Sequence, residues 1–256
     1  MGARALYMMD CGGGEFDYGV LVAGQRPGEK VILPFSACLI DTDDGPVLVE
    51  TGVNPEGIRD PVAAAGERAS AVKLMLREED DIRARLKEVG LAPGEVRTVI
   101  LSHMHWDHAG GCKFFPHATF VVQRSEYRFA LYPDSALRKP YARHLFEGMA
   151  NLDLREGDGE VVPGVWVISS PGHTPGHQSV LVSLPESGKM LLAFDAINAW
   201  ANVELETMGG VPWNAAVAID SIRRLVQLAK RENATLLPGH EPGCWSKVKR
   251  SPDCYR

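Results

Sequence analysis

Apolar residues come in short runs along the chain, and turn residues separate the runs. "LPFSACLIDTDDGPVLVETG" holds two such runs around Asp43-Asp44-Gly45 and predicts a β-hairpin. "SVLVSLPESGKMLLAFDA" predicts a second, turning at Pro185-Glu186-Ser187-Gly188. "RTVILSH", "ATFVVQ", "VWVISS" and "ATLLPGH" read as further strands, several running straight into a histidine or a Pro-Gly. Helical spacing replaces alternation in "EEDDIRARLKEVG", where Ile82, Leu86 and Val89 share a face, acidic residues open the helix and Gly90 closes it. "NAAVAIDSIRRLVQLAKREN" is a long amphipathic helix that turns Ile222, Leu225, Val226 and Ala229 inward. "SEYRFAL" begins another, with Ser125 as its cap, and an irregular helix is expected over 132–150. Residues 53–77, broken by Pro55, Gly57, Pro61 and Gly66, read as a long excursion with a short helix. Each half runs strands, helix, then a strand ending in histidine, which favours a layered α/β sandwich with mixed sheets.

At 256 residues and 45% hydrophobic content, the chain can bury one sizeable core, and a single domain is expected. A formal charge of -6 disfavours a broad phosphate-binding face, so no nucleic-acid partner is expected. No apolar stretch approaches the roughly 20 residues that span a bilayer, and no signal peptide is visible, so no membrane partner is expected. Five scattered cysteines without a C-x-x-C pair read as reduced thiols in a cytoplasmic protein.

The chemistry concentrates in "SHMHWDHAGG", which places His103, His105, Asp107 and His108 within six positions. One small ion cannot take all four. Two ions side by side, roughly 3.5–4 Å apart, could share them. Three imidazoles this close would waste buried polar groups without a metal. His173, Asp195 and His240 supply further ligands, and with His103 they all follow strands, whose ends gather chemistry at one rim. His177 in "HTPGHQS" is a candidate to orient a ligand from behind. His117 and His144 lack such company and read as surface residues.

"HMHWDHAGG", "PGHTPGH", "FDA" and "PGH", in this order across the whole chain, resemble the metallo-β-lactamase superfamily. The resemblance implies an αββα sandwich of two mixed β-sheets flanked by helices, with a dinuclear site at one edge. It implies that His103, His105 and His173 hold one ion, that Asp107, His108 and His240 hold the other, and that Asp195 bridges them. "VVQRSEY", "REGDGEVVPGVWVISSPGHTPGHQS" and "LLAFDA" resemble the N-acyl homoserine lactone lactonases, the quorum-quenching branch. Pyridoxolactone hydrolases share much of the pattern. Two positions depart from that branch. Asn198 stands where a substrate-holding tyrosine is usual, and Glu50 in "ETG" replaces an aspartate, keeping an acidic group behind the ligands.

Two cations sharing one water would lower its pKa toward neutrality, and the bridging hydroxide would attack the lactone carbonyl. Asp107 is the candidate to carry the proton that the leaving alkoxide needs, and Asn198 the candidate to meet the substrate. Histidine and carboxylate ligands suit zinc, with iron, manganese or cobalt as alternatives. A neutral lactone with an acyl tail calls for an apolar groove. Met8, Met9, Phe16, Tyr18, Val20 and Leu21, around a glycine-rich "CGGGEFDYG" read as a mobile loop, are candidates to line it with Ile197 and Trp200. Related lactonases suggest a homodimer through the 53–77 excursion.

Among other functions, a β-lactamase is disfavoured by Asp195 where cysteine is common. A glyoxalase II-like thioester hydrolase is disfavoured because the chain ends soon after His240, and an RNA-processing nuclease by the acidic balance. A non-enzymatic metal-binding protein would be marked by a lost ligand, and all seven are present.

Overall fold

The architecture follows from strands whose alternate residues face two different apolar layers. The structure is a computed structural model and describes residues 2–256. Seven strands form the larger sheet: β1 (Ala3–Asp17), β2 (Lys30–Thr42), β3 (Val47–Val49), β4 (Lys73–Met75), β5 (Thr98–Ile100), β6 (Thr119–Gln123) and β7 (Leu152–Arg155), in the order β4-β1-β2-β3-β5-β6-β7. Five form the smaller: β8 (Gly159–Val162), β9 (Val165–Ser169), β10 (Gln178–Leu184), β11 (Gly188–Phe194) and β12 (Ala234–Pro238), in the order β12-β11-β10-β9-β8. Both sheets are mixed: β3, β5, β6 and β7 run parallel, as do β11 and β12, and the other pairs are antiparallel.

The period of two along each strand sorts side chains between layers. Cys38 and Ile40 of β2 meet Val180 and Val182 of β10 between the sheets, while Ala37 and Leu39 face the outer side of the larger sheet. Likewise Met190 and Leu192 of β11 point between the sheets, and Leu191 and Ala193 point outward. There they meet Ile222, Leu225 and Ala229 of helix α6 (Ala215–Glu232), the inward face expected from its spacing. On the opposite side, Ile82 and Leu86 of α3 (Ile82–Glu88) pack on the larger sheet. The result is the expected αββα sandwich. No described helix is long and apolar enough to cross a membrane.

Several local expectations are corrected. The glycine-rich N-terminal stretch is no mobile loop; it lies inside β1, fifteen residues long. Gly12 has φ +88° at a register shift in β1, and a Cβ there would stand 2.7 Å from Leu76. These glycines therefore permit a bulge and close packing. Met8 is buried between the sheets, and Met9 and Leu21 in the outer core. Residues 132–150 form turns with one 3₁₀ turn at Arg143–Leu145, because Pro133 and Pro140 each remove a backbone donor. The helix at 124–131 starts at Arg124, with Gln123 in the cap position, and Ser125 Oγ instead donates to the Pro175 carbonyl at 3.4 Å. The 53–77 excursion holds its short helix at Pro61–Ala65, and it adds β4 as an edge strand.

Gly12→Ala distinguishes a packed bulge from a loose loop. The positive φ and the contact with Leu76 should lower unfolding free energy by about 1–3 kcal/mol. A denaturant midpoint that moves by less than about 0.5 kcal/mol would contradict the packed bulge.

Candidate metal centre

All seven candidate ligands lie on loops that leave strands at one rim of the sandwich. His103, His105, Asp107 and His108 follow β5, His173 follows β9, Asp195 follows β11 and His240 follows β12. Two residues beside the rim hold unusual backbone: Glu50, just after β3, has φ +66°, and Phe194, just before Asp195, has φ +48°. Non-glycine residues in this region cost roughly 1–3 kcal/mol and persist where surrounding bonds hold them. At Glu50 those bonds are present. Glu50 Oε1 accepts the Ser102 N–H at 2.7 Å, and Thr51 N–H and Oγ1 donate to the His108 carbonyl at 2.8 and 2.9 Å.

The loop imidazoles converge. His105 Nδ1 lies 2.9 Å from His103 Nε2 and 3.1 Å from His173 Nε2. A second group gathers beside it: His108 Nε2 is 3.7 Å from Asp107 Oδ2, and it shares Asp195 Oδ1 with His240 Nε2, at 3.2 and 3.1 Å. Asp195 Oδ2 turns the other way, 3.3 Å from His173 Nε2. Ligand atoms of His103, His105 and His173, and separately of Asp107, His108 and His240, lie within 4.8 Å of one another, so each set could hold a cation. The carboxylate of Asp195 stands between the two sets.

The far sides of the rings are tied to the protein. His240 Nδ1–H donates to the Pro34 carbonyl at 2.8 Å, which leaves Nε2, 3.1 Å from Asp195 Oδ1, to take a proton or a cation. His103 Nδ1 pairs with Ser102 Oγ at 2.9 Å. Glu50, fully buried, sets Oε2 3.4 Å from His108 Nδ1. Glu50 Oε2 and both ring nitrogens of His108 lack a hydrogen-bond partner despite their burial. Orphaned groups are costly, and an ion at His108 Nε2 would satisfy one of them.

Burial, reinforced by neighbouring imidazoles, holds His103, His105 and His173 below the ordinary histidine range, so they present neutral lone pairs. At His108 and His240 burial also opposes protonation, but nearby carboxylates outweigh it and raise both. Burial alone would raise Asp195; His240, His108 and His173 outweigh it and keep the carboxylate ionised. The donor set suits a hard or borderline divalent cation.

Sequence spacing missed one support. Glu126 is fully buried on the helix over 124–131 and joins three loops. It accepts the Met104 N–H at 3.0 Å, the Tyr141 hydroxyl at 3.1 Å and the Gly176 N–H at 3.2 Å. Gly176 must be glycine, since a Cβ there would stand 2.2 Å from the Glu126 nitrogen. The Tyr141 ring packs 4.7 Å from that of His105. The available signal was a glutamate one helical turn before Ala130, on a buried face.

Other expected residues divide. Phe16, Val20 and Asn198 line the pocket over the ligand cluster, together with Leu33, Phe35, Trp106 and Val211. Asn198 is 4% exposed, its Oδ1 is unpaired, and a Cβ at Gly209 would stand 2.3 Å from its amide nitrogen. Tyr18 does not line the pocket; it stacks beneath Arg26, 4.5 Å from the guanidinium. Ile197 is fully buried against α6, and Trp200 borders a separate surface hollow with Val226 and Ala229. His177 does not hydrogen-bond a candidate ligand. Its Nδ1 pairs with Ser170 Oγ at 2.9 Å, and its ring lies 5.3 Å from that of His103. His117 pairs with the Val96 carbonyl and His144 with that of Ala63, both away from the rim.

Comparison with known proteins places this geometry. The family model of the metallo-beta-lactamase superfamily matches residues 36–240. The N-acyl homoserine lactonase AiiA of Bacillus thuringiensis subsp. kurstaki is 35% identical over 249 residues, 94% of each chain. A crystal structure of a B. thuringiensis AiiA mutant with N-decanoyl-L-homoserine at its active site superposes with a TM-score of 0.91 at 33% identity, covering 100% of both chains. A 1.4 Å structure of an N-acyl homoserine lactone hydrolase, with the product N-hexanoyl-L-homoserine at its catalytic metal centre, gives 0.89 at 33% identity, again covering 100% of both.

His177 supplies a pH test. Burial lowers it to about 3, so it stays neutral when folded and would protonate near 6.5 when unfolded. Its contribution is complete above the unfolded value and is lost as pH falls from about 6.5 toward 3, by up to ~1.4 kcal/mol per pH unit. His177→Gln in the metal-free chain should therefore flatten the acid-side slope of unfolding free energy against pH by about one proton. Identical slopes for the two proteins would contradict the assignment.

Proposed function

The chain belongs to the metallo-beta-lactamase superfamily, beside its N-acyl homoserine lactonases, and from that premise we propose a metal-dependent hydrolase that opens the lactone ring of N-acyl homoserine lactones. The observation that carries this reading is Asp195, whose two oxygens face two separate ligand sets. His103, His105 and His173 would hold one divalent cation, Asp107, His108 and His240 a second, and Asp195 would bridge them. Zinc suits these donors, and iron, manganese or cobalt are compatible. When bound, such a pair supplies positive charge that activates water and stabilises the charge developing on a carbonyl oxygen.

The chain's own residues complete the reaction. Asp107 sits at the edge of the cluster with its side chain 13% exposed, and its carboxylate would take the proton given up by the attacking water and pass it to the departing ring oxygen. The Pro34 carbonyl fixes the His240 imidazole from behind, and the Glu50 carboxylate places negative charge 3.4 Å behind His108 Nδ1. Asn198 lines the pocket and its amide would hydrogen-bond the substrate, in place of the tyrosine usual in this branch. Phe35 and Trp106, packed edge to face at 5.3 Å, would keep water from the acyl side. A single domain carries all of these parts.

A hydrolysis panel tests the proposal: acyl homoserine lactones, pyridoxolactone, simple lactones, a glutathione thioester and a phosphodiester. Ring opening of the acyl homoserine lactones is expected, abolished by chelation and restored by zinc, manganese or cobalt. Activity confined to the thioester and the phosphodiester would overturn the substrate assignment. Glu50→Gln should weaken metal binding about 10–100-fold in a competition titration with a chromophoric chelator. An unchanged affinity would remove Glu50 from the support of His108.

A further inference from the structure

We infer that Arg68 reads the acyl side of the substrate and selects chains bearing a second carbonyl one methylene beyond the amide carbonyl, the 3-oxoacyl class. The inference rests on the lactonase reading above. With the reacting carbonyl at the ligand cluster, the lactone ring fills the space beside it. The amide and acyl chain must then use the rest of the pocket. That remainder is walled by Phe16, Leu33, Phe35, Trp106 and Val211, and away from the cluster Arg68 is the one charged side chain lining it.

Arg68 belongs to the 3₁₀ turn Gly66–Ala71 of the excursion and is half-buried. Among the described residues its guanidinium forms no ion pair and no hydrogen bond. The adjacent carboxylate, Glu67, is engaged by Arg138 at 3.3 Å. A guanidinium presents a planar fork of donors, and no acceptor of the protein fills it here. A plain alkanoyl chain laid in this pocket would strip water from those donors and offer nothing in return beyond the amide oxygen. A 3-oxoacyl group presents two carbonyl oxygens in a 1,3 relation across one methylene, a pair that two N–H groups of the fork can meet together. A binding site with unfilled donors penalises the analogue that lacks the acceptor.

The test compares N-(3-oxooctanoyl)- and N-octanoyl-homoserine lactone as substrates of the metal-loaded enzyme and of Arg68→Met. The native enzyme should favour the 3-oxo substrate about tenfold or more in kcat/KM, and the variant should bring the two within about threefold. Calorimetric binding of the two ring-opened products should show the same loss of preference, a readout independent of turnover. Arg68→Leu repeats the comparison should the methionine variant show a lowered thermal midpoint. If both lactones are opened and the ratio is the same in native and variant enzyme, the role of Arg68 is overturned while the lactonase reading stands. If neither lactone is opened, the lactonase reading falls and this inference with it.

Discussion

Burying five imidazoles and two carboxylates within a few ångströms of one another is the constraint on which the rest of this structure depends. Three of the imidazoles are driven neutral by burial and by one another, and two are drawn toward protonation by the carboxylates. Protons alone satisfy this group poorly: His108 is left with both ring nitrogens unpaired and Glu50 with one oxygen. Two cations would meet the arrangement better, because each neutral nitrogen would then face a positive centre and Asp195 would serve both. The group is expensive without metal, and bound metal would offset that cost.

The fold carries that cost by distributing it. Three apolar layers, one between the sheets and one beneath each flanking set of helices, hold strand ends in register at one rim. Strain at Glu50 and Phe194 sits at strand ends beside the candidate ligands; at Glu50, the Ser102 N–H holds its carboxylate and Thr51 bonds the His108 carbonyl. Glu126 then ties the His103–His108 loop, the His173 loop and Tyr141 to one buried carboxylate. The loops that carry ligands are therefore bonded to the scaffold on the sides away from the pocket, as a preorganised site requires.

Much of this was legible from residues alone because metal ligation demands particular side chains at particular spacings. The His-x-His-x-Asp-His run and the strand-end positions of His173, Asp195 and His240 located the cluster. Alternation in β2, β10 and β11 and the 3.6-residue spacing of α6 located the layers. What periodicity could not convey was direction after a strand ends. Ile197, Asn198 and Trp200 are near neighbours in sequence, yet one enters the core, one faces the pocket and one faces a surface hollow. Glycine was misleading for a related reason: in β1 it allows a bulge and tight packing, and the same letters in an open segment would mean mobility. Arg68 escaped notice because a single charged residue in sequence carries no sign of what it will face, and Glu126 because its one sign was its spacing a helical turn before Ala130.

Anomalous scattering from crystals grown with zinc measures the central claim most directly. Two peaks per chain are predicted, one among His103, His105 and His173 and one among Asp107, His108 and His240, with Asp195 reaching both. A single peak under saturating zinc, or peaks that leave Asp195 uncoordinated, would contradict a paired-cation centre.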